Sequence, residues 1–310
     1  REGDLTVLTL NRPERLNALN GAMLDQLRTA LAAERRSDSR VIVIRGAGRA
    51  FSAGHDLGAD SDEVVEPGDS VGDRDRQASY IDLFFQIWDH PKPVVAAVHG
   101  YCMAGATQLV TFCDFTVVAE DAVVTASPVL PLGGGFISPL LAYKVGANKA
   151  KLLSFVPGYR MSGVEAADWG WATMAVPAAE LDASVRRLAS SIARTPASVL
   201  RMKKIAINRV LELQGFRTVA YVGTETDVVV HDTDDVSRLK SFIHDHGLKA
   251  AIGMFEATGP ALIYLYGGWL VIHAEENGQP GPVLGQTLLQ PGTNPAVRVS
   301  LAATGQTPIL

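Results

Sequence analysis

The chain has 310 residues, 47% of them hydrophobic, and 28 basic against 33 acidic side chains for a net charge of −5. That mildly acidic, globular composition supplies no electrostatic reason to bind nucleic acid or an anionic membrane. Its length suits one large domain plus a small one. No run of the ~18 apolar residues a membrane span needs is present, and no signal peptide precedes the first motif. Cys102 and Cys113 lack metal or redox spacing and read as reduced core thiols of a cytoplasmic protein.

In chain order, Glu2-Gly3-Asp4 reads as a turn that a preceding edge strand would enter. Leu5 to Leu10 alternates apolar and polar residues, as a half-buried strand does. Asn20 caps a helix that carries Met23, Leu24, Leu27 and Leu31 on one face. The apolar run Val41-Ile42-Val43-Ile44 is a buried strand that turns at Gly46-Ala47-Gly48 into Phe51-Ser52-Ala53-Gly54-His55-Asp56-Leu57. Residues 59 to 75 are rich in Asp and Glu and read as a solvated loop, with a lid as the alternative. Ile81, Phe84, Phe85, Ile87 and Trp88 form a helix face that stops before Pro91.

A second strand-to-helix junction follows. Val94 to Val98 ends at Gly100, and Ala104-Gly105-Ala106-Thr107-Gln108 opens a helix. Phe115 to Val118 and Ala122 to Val124 are further strands, so the spacing predicts βαβ units in a mostly parallel sheet. Pro131 to Phe136 is glycine-rich but lacks the Gly-Lys-Ser/Thr of a phosphate loop. Beyond Asn148 the pattern is helical, with Ser162 and Glu165 spaced as a capping box. Leu181 to Ile192, Val199 to Leu213, Val219 to Val230 and Val236 to His246 are amphipathic. His244 and His246, two apart, face different sides of a helix and are poor metal partners.

Two junctions rich in small residues can bring two backbone N–H groups together, one of them at a helix start, to stabilise an oxyanion. Leu10-Asn11-Arg12-Pro13-Glu14-Arg15-Leu16-Asn17-Ala18-Leu19, the FSAGHDL stretch, Lys92 to Gly100 and Cys113-Asp114 occur in the order and spacing of one family. Over residues 1 to about 255 the chain resembles the enoyl-CoA hydratase/isomerase (crotonase) superfamily. The resemblance implies an α/β fold, a ClpP-like spiral of βαβ units with a helical C-terminal region. It divides the chain into a domain over 1–256, with core 1–195 and a helical trimerisation region 196–256, and an appendage over 257–310.

The resemblance also implies an acyl-CoA substrate, with CoA as part of the substrate and no separate cofactor or metal, and assembly into a homotrimer or hexamer. The thioester oxygen would sit between the N–H groups of His55 and Gly105, a pairing in which one donor is worth about 3 kcal/mol of barrier. Arg15, Leu16 and Ala18 correspond to the stretch that meets adenine and pantetheine. Ala53, Asp56 and Leu57 flank the thioester. Lys203, Lys204 and Lys249 are candidates for the nucleotide phosphates, weighed against a solvated helix face. The hydratase branch uses two glutamates, and neither is here. Gln108 stands at the first position, and Ala126, Ser127 and Pro128 cover the second. An amide orients water but cannot take its proton. Two-carboxylate hydration is therefore not what the residues support. An isomerase, a thioester hydrolase and a non-catalytic CoA-binding homologue remain as alternatives.

Residues 258 to 310 leave this pattern. Leu270-Val271-Ile272, Val283-Leu284 and Val297 to Leu301 alternate with Asn277-Gly278, Pro280-Gly281-Pro282 and Pro291 to Pro295, which predicts an antiparallel sheet. Gly267 to His273 resembles part of a small β-sandwich module of exported or surface proteins. The chain stops at Pro308-Ile309-Leu310 without a natural ending, so this tail reads as a truncated or fused appendage with no part in catalysis.

Overall fold

A computed structural model describes residues 3–256 except 57–68, 127–129, 131, 134–135, 137 and 157, together with three strands within 261–288; side chains are described to residue 252. The chain divides into two compact units, residues 1–244 and 245–310.

The first unit opens with β1 (Leu5–Leu10), α1 (Gly21–Glu34), β2 (Val41–Gly46), β3 (Ala50–Ser52), α2 (Ser70–Trp88), β4 (Val94–Val98), β5 (Tyr101–Met103) and α3 (Gly105–Thr111). It continues with β6 (Phe115–Ala119), β7 (Val123–Thr125), α4 (Ser138–Val145), α5 (Ala147–Phe155), β8 (Met161–Ser162), α6 (Gly163–Asp168) and β9 (Met174–Val176). Helices α7 (Leu181–Ala193), α8 (Ala197–Leu213), α9 (Phe216–His231) and α10 (Asp234–His246) follow.

Five strands pair in parallel in the order β1-β2-β4-β6-β9, with Val43 opposite Val95 and Ala97 opposite Val117. A second sheet, β3-β5-β7-β8, is parallel except for its last pair. Val41 to Ile44 and all of β4 are buried, as strands covered on both faces must be. The Asn20 cap is present, its side chain accepting from the Met23 N–H at 3.1 Å, and the Ser162–Glu165 capping box closes in both directions.

Aromatic packing joins the helices behind the site. Trp88 stacks on Phe216 at 4.5 Å and Phe85 meets Phe112 edge-on at 5.0 Å, so α2, α9 and the end of α3 share one apolar block. Two expectations change here. Residues 70–75 are not loop but the first turns of α2, capped by Asp69, whose side chain accepts from the Gly72 N–H at 2.8 Å; Asp73 is buried. The apolar face of α2 extends toward the N-terminus through polar residues, which is why its start does not show in the hydrophobic pattern.

Lys204 neither faces solvent nor meets a phosphate. It is buried, donating to Asp114 at 2.7 Å and to the carbonyl oxygen of Ile87 at 3.0 Å, while Asp114 also accepts from the Val94 N–H. Asp114 of the family motif is thus the anchor that ties α8 to the sheet. Lys203 and Lys249 are exposed. Several apolar residues of α8 stay uncovered, Met202, Ile207 and Leu213 among them.

The second unit holds α11 (Leu248–Glu256) and an antiparallel sheet of β10 (Ala261–Tyr266), β11 (Trp269–Glu276) and β12 (Gln279–Leu288). The sheet is antiparallel as expected, but β10 adds a strand at Ala261–Tyr266, and Pro280-Gly281-Pro282, expected as a turn, lies within β12; the expected strand near Val297 lies outside the described residues.

Candidate active site

The site begins at the turn between β1 and α1. Leu16 and Asn17 both adopt left-handed backbone, with φ of 51° and 55°. The Asn17 amide makes that conformation tolerable by donating to the carbonyl oxygens of Ala47 and Ala50 at 2.7 and 2.8 Å. Arg12 closes the same turn, donating to the Ala18 carbonyl at 2.8 Å and to the Asp56 carboxylate at 2.9 Å.

The FSAGHDL stretch lies against this turn. The Ala53 N–H donates to Leu16, the Leu19 N–H to Gly54, and the Asp56 N–H to Leu19, at 2.7 to 2.9 Å. The Leu16–Leu19 turn and the Ala53–Asp56 loop are thus hydrogen-bonded to one another, with Arg15 exposed at the end of a short 3-10 turn. Leu57 lies outside the described residues. Asp56 has a clear task in the ion pair with Arg12, which fixes the loop.

The second junction meets the first backbone to backbone. Gly54 has φ of +93°, and a Cβ there would stand 3.1 Å from the Gly105 nitrogen. A Cβ on Gly105 would sit 2.4 Å from Cδ2 of His55. Both glycines are needed because no side chain fits between the two loops. Ala104, just before α3, holds φ of 45° and ψ of −116°, a conformation that costs a non-glycine residue about 1–3 kcal/mol. Its N–H donates to the Thr125 carbonyl at 2.8 Å, and its own carbonyl accepts from the Thr107 hydroxyl at 2.7 Å. Thr107 thus braces the turn.

Gln108 reaches back to the first junction. Its Oε1 lies 3.3 Å from Nε2 of His55, and the His55 ring packs on Tyr80 of α2 at 4.6 Å. Burial pushes the His55 imidazole down to about 4, against the Gln108 hydrogen bond, which favours protonation. At neutral pH this ring is uncharged and serves as packing and as a hydrogen-bond donor to Gln108.

At the second glutamate position Ala126 is buried, while Ser127 and Pro128 lie outside the described residues. Glu120 and Asp121 are exposed in the turn between β6 and β7. Burial raises both cysteines, Cys113 to about 12, so neither is a nucleophile at neutral pH. Among the described residues no cluster of His, Cys, Asp or Glu is arranged to hold a metal ion.

Sequence reading missed Asp73, Asp227 and His231. These polar groups are buried or half-buried where α2 packs against α9, and Asp227 acts electrostatically on His55. A signal was available in the helical spacing of Asp73, Arg76 and Tyr80 and of Asp227 and His231. What hid it was the assignment of Asp73 to a loop.

Comparison with known proteins identifies the family. Residues 1–243 match the family model for enoyl-CoA hydratase/isomerase. The chain is 33% identical over 213 residues to 1,2-epoxyphenylacetyl-CoA isomerase of Escherichia coli, covering 67% of this chain and 79% of that protein. It is 32% identical over 227 residues to enoyl-CoA hydratase domain-containing protein 3 of Mus musculus, covering 71% and 72%. The crystal structure of an enoyl-CoA hydratase/isomerase from Xanthobacter autotrophicus superposes with a TM-score of 0.78 at 33% identity, over 84% of this chain and 97% of that one. Relatives named for different reactions share one scaffold, and by its matched motifs, sheet and two-junction site this chain belongs to the enoyl-CoA hydratase/isomerase family.

Proposed function

We propose that the protein acts on acyl-CoA thioesters by holding the thioester oxygen between the backbone N–H groups of His55 and Gly105 while negative charge develops on it. The observation that carries this reading is the close approach of the Gly54–His55 loop to the Ala104–Gly105 turn. Donors fixed in place before the reaction cost no reorganisation when the charge appears, the condition under which such a hole is effective. The seat formed by Leu16, Ala18, Ala53 and Asp56 supports placement of the pantetheine and nucleotide alongside.

Enolate chemistry, as in an isomerisation, suits these residues better than hydration by paired glutamates. Gln108 occupies the first glutamate position and is engaged with His55. Two substitutions separate the donor from the packing around it. Gly105→Ala keeps the N–H but pushes a methyl into the His55 ring; Gly105→Pro does the same and also removes the donor. The expected result is a further fall of about 10²–10³-fold in acyl-CoA turnover from the alanine to the proline variant. Equal turnover in two folded variants would refute the assignment of Gly105.

A further inference from the structure

A chain of ionisable side chains runs from α2 to α9 beside this site. Asp73, Arg76 and Tyr80 lie one turn apart on α2, and Asp227 and His231 are four apart on α9. Arg76 donates to Oδ1 of Asp73 at 2.6 Å, and His231 Nδ1 meets Oδ2 of the same carboxylate at 2.6 Å. Arg76 also donates to the Tyr80 hydroxyl at 3.3 Å, whose ring packs on His55. Burial alone would raise the Asp73 carboxyl, but the hydrogen bonds from His231 and Arg76 outweigh it and keep Asp73 ionised.

That arrangement has a consequence for the other end of His231. With the Nδ1 proton given to Asp73, Nε2 faces Oδ2 of Asp227 at 3.5 Å. The ring of His231 thus spans the two carboxylates, Asp73 on α2 and Asp227 on its own helix, and holds Asp227 in place. Asp227 is buried, and its Oδ1 would stand 2.8 Å from a Cβ placed on Gly133, in the loop beyond the second glutamate position. The charge of Asp227 is felt at His55, which is itself neutral and cannot supply a proton of its own near neutral pH. On the same face of α2, four residues from Asp73, the buried side-chain amide of Gln77 has neither its oxygen nor its nitrogen hydrogen-bonded. Buried polar groups are as a rule hydrogen-bonded, so this amide is open to a partner beyond the protein's own side chains.

We propose that Asp227 is the catalytic acid–base residue of this site, exchanging a proton with the acyl chain, and that His231, Asp73 and Arg76 are positioning residues that hold it. The proposal rests on the reading of the site as an enolate-forming acyl-CoA pocket. The Asp227 carboxylate accepts the proton from Cα. The C–H electron pair becomes the bond between Cα and the carbonyl carbon, and the carbonyl π pair moves onto the thioester oxygen between the two N–H donors. The same proton returns to carbon, at Cα or at Cγ of a 3-enoyl chain, as the electrons flow back. No co-reactant is consumed.

The test uses butyryl-CoA, which has no double bond to hydrate. Its binding is measured by calorimetry, and deuterium uptake at Cα from heavy water by mass spectrometry. The wild-type protein is expected to bind and to exchange. Asp227→Asn is expected to bind within a few-fold and to exchange about 10²–10⁴-fold more slowly. His231→Gln is expected to shift the pH profile of exchange; the groups around this histidine are Asp73 and Arg76 from α2 and Asp227 on its own helix. Binding without exchange in the wild type, or unchanged exchange in a folded Asp227→Asn protein, overturns the proposal and leaves the acyl-CoA reading standing. An unchanged pH profile in His231→Gln overturns it even if Asp227→Asn fails to fold. Absence of binding in the wild type overturns both.

Discussion

On its sheet side the candidate site is built of main chain, and on its helix side it is built of side chains. The sheet side consists of Gly54, Ala104 and Gly105, fixed by backbone hydrogen bonds to Leu19 and Thr125. The helix side consists of Asp73 and Arg76 on α2 and Asp227 and His231 on α9, joined by the Asp73–His231 pair across 158 residues only because the two helices pack together. Main-chain donors are placed by local turn chemistry and tolerate little change in residue type. Side-chain donors depend on distant packing and can be exchanged without altering the scaffold.

The largest expected effect lies outside both sides, in the anchor that ties α8 to the sheet. Lys204→Met leaves the half-buried Asp114 carboxylate without its cation and should lower stability by about 3 kcal/mol. Chemical denaturation would measure it. A loss below ~1 kcal/mol would mean that α8 is held by apolar packing alone.

A pH series addresses the buried histidines. Burial pushes both His55 and His90 to about 4; His90 accepts the Lys92 N–H at Nδ1 and meets the Leu31 carbonyl at Nε2. Unfolded, each takes up its proton near 6.5. Between those values the unfolded chain binds more protons, so stability is full above about pH 6.5 and falls as the pH drops toward 4. Urea midpoints should decline from about pH 7 to about pH 4.5, whereas a flat series would show that neither ring is held neutral by the fold.

The smallest effect sharpens the role of the first glutamate position. Gln108→Glu sets a carboxylate beside Nε2 of His55 and should raise its titration from about 4, visible in the ring proton resonances. Hydration of crotonyl-CoA should rise by less than about 10²-fold, because the second acid is still missing. Hydration at the rate of a two-glutamate enzyme would contradict the reading of this site.

The division between the two sides also explains what could be read before folding. The strands and the caps at Asn20 and Ser162 followed from patterns whose meaning is local. Lys204 did not, because a lysine on an amphipathic helix declares its partner only when the helix docks. Nor did Asp73, which sits among acidic residues of similar composition and differs from them only in facing α9. Asp227 and His231 were four apart on one helix face, yet that spacing is as common in solvent as in a site.

The strand order carries a consequence for how the chain is made. In the main sheet the order β1-β2-β4-β6-β9 follows the sequence, and in the second sheet β3-β5-β7-β8 does too. Each strand leaving the ribosome finds its partner already synthesised and adds to an open edge; none has to insert between two paired strands. Both sheets can thus grow from N-terminus to C-terminus as translation proceeds, although their parallel pairings are long-range. The helix that carries Asp227 emerges only after the last of those strands, so this side of the site forms on a sheet that is already complete.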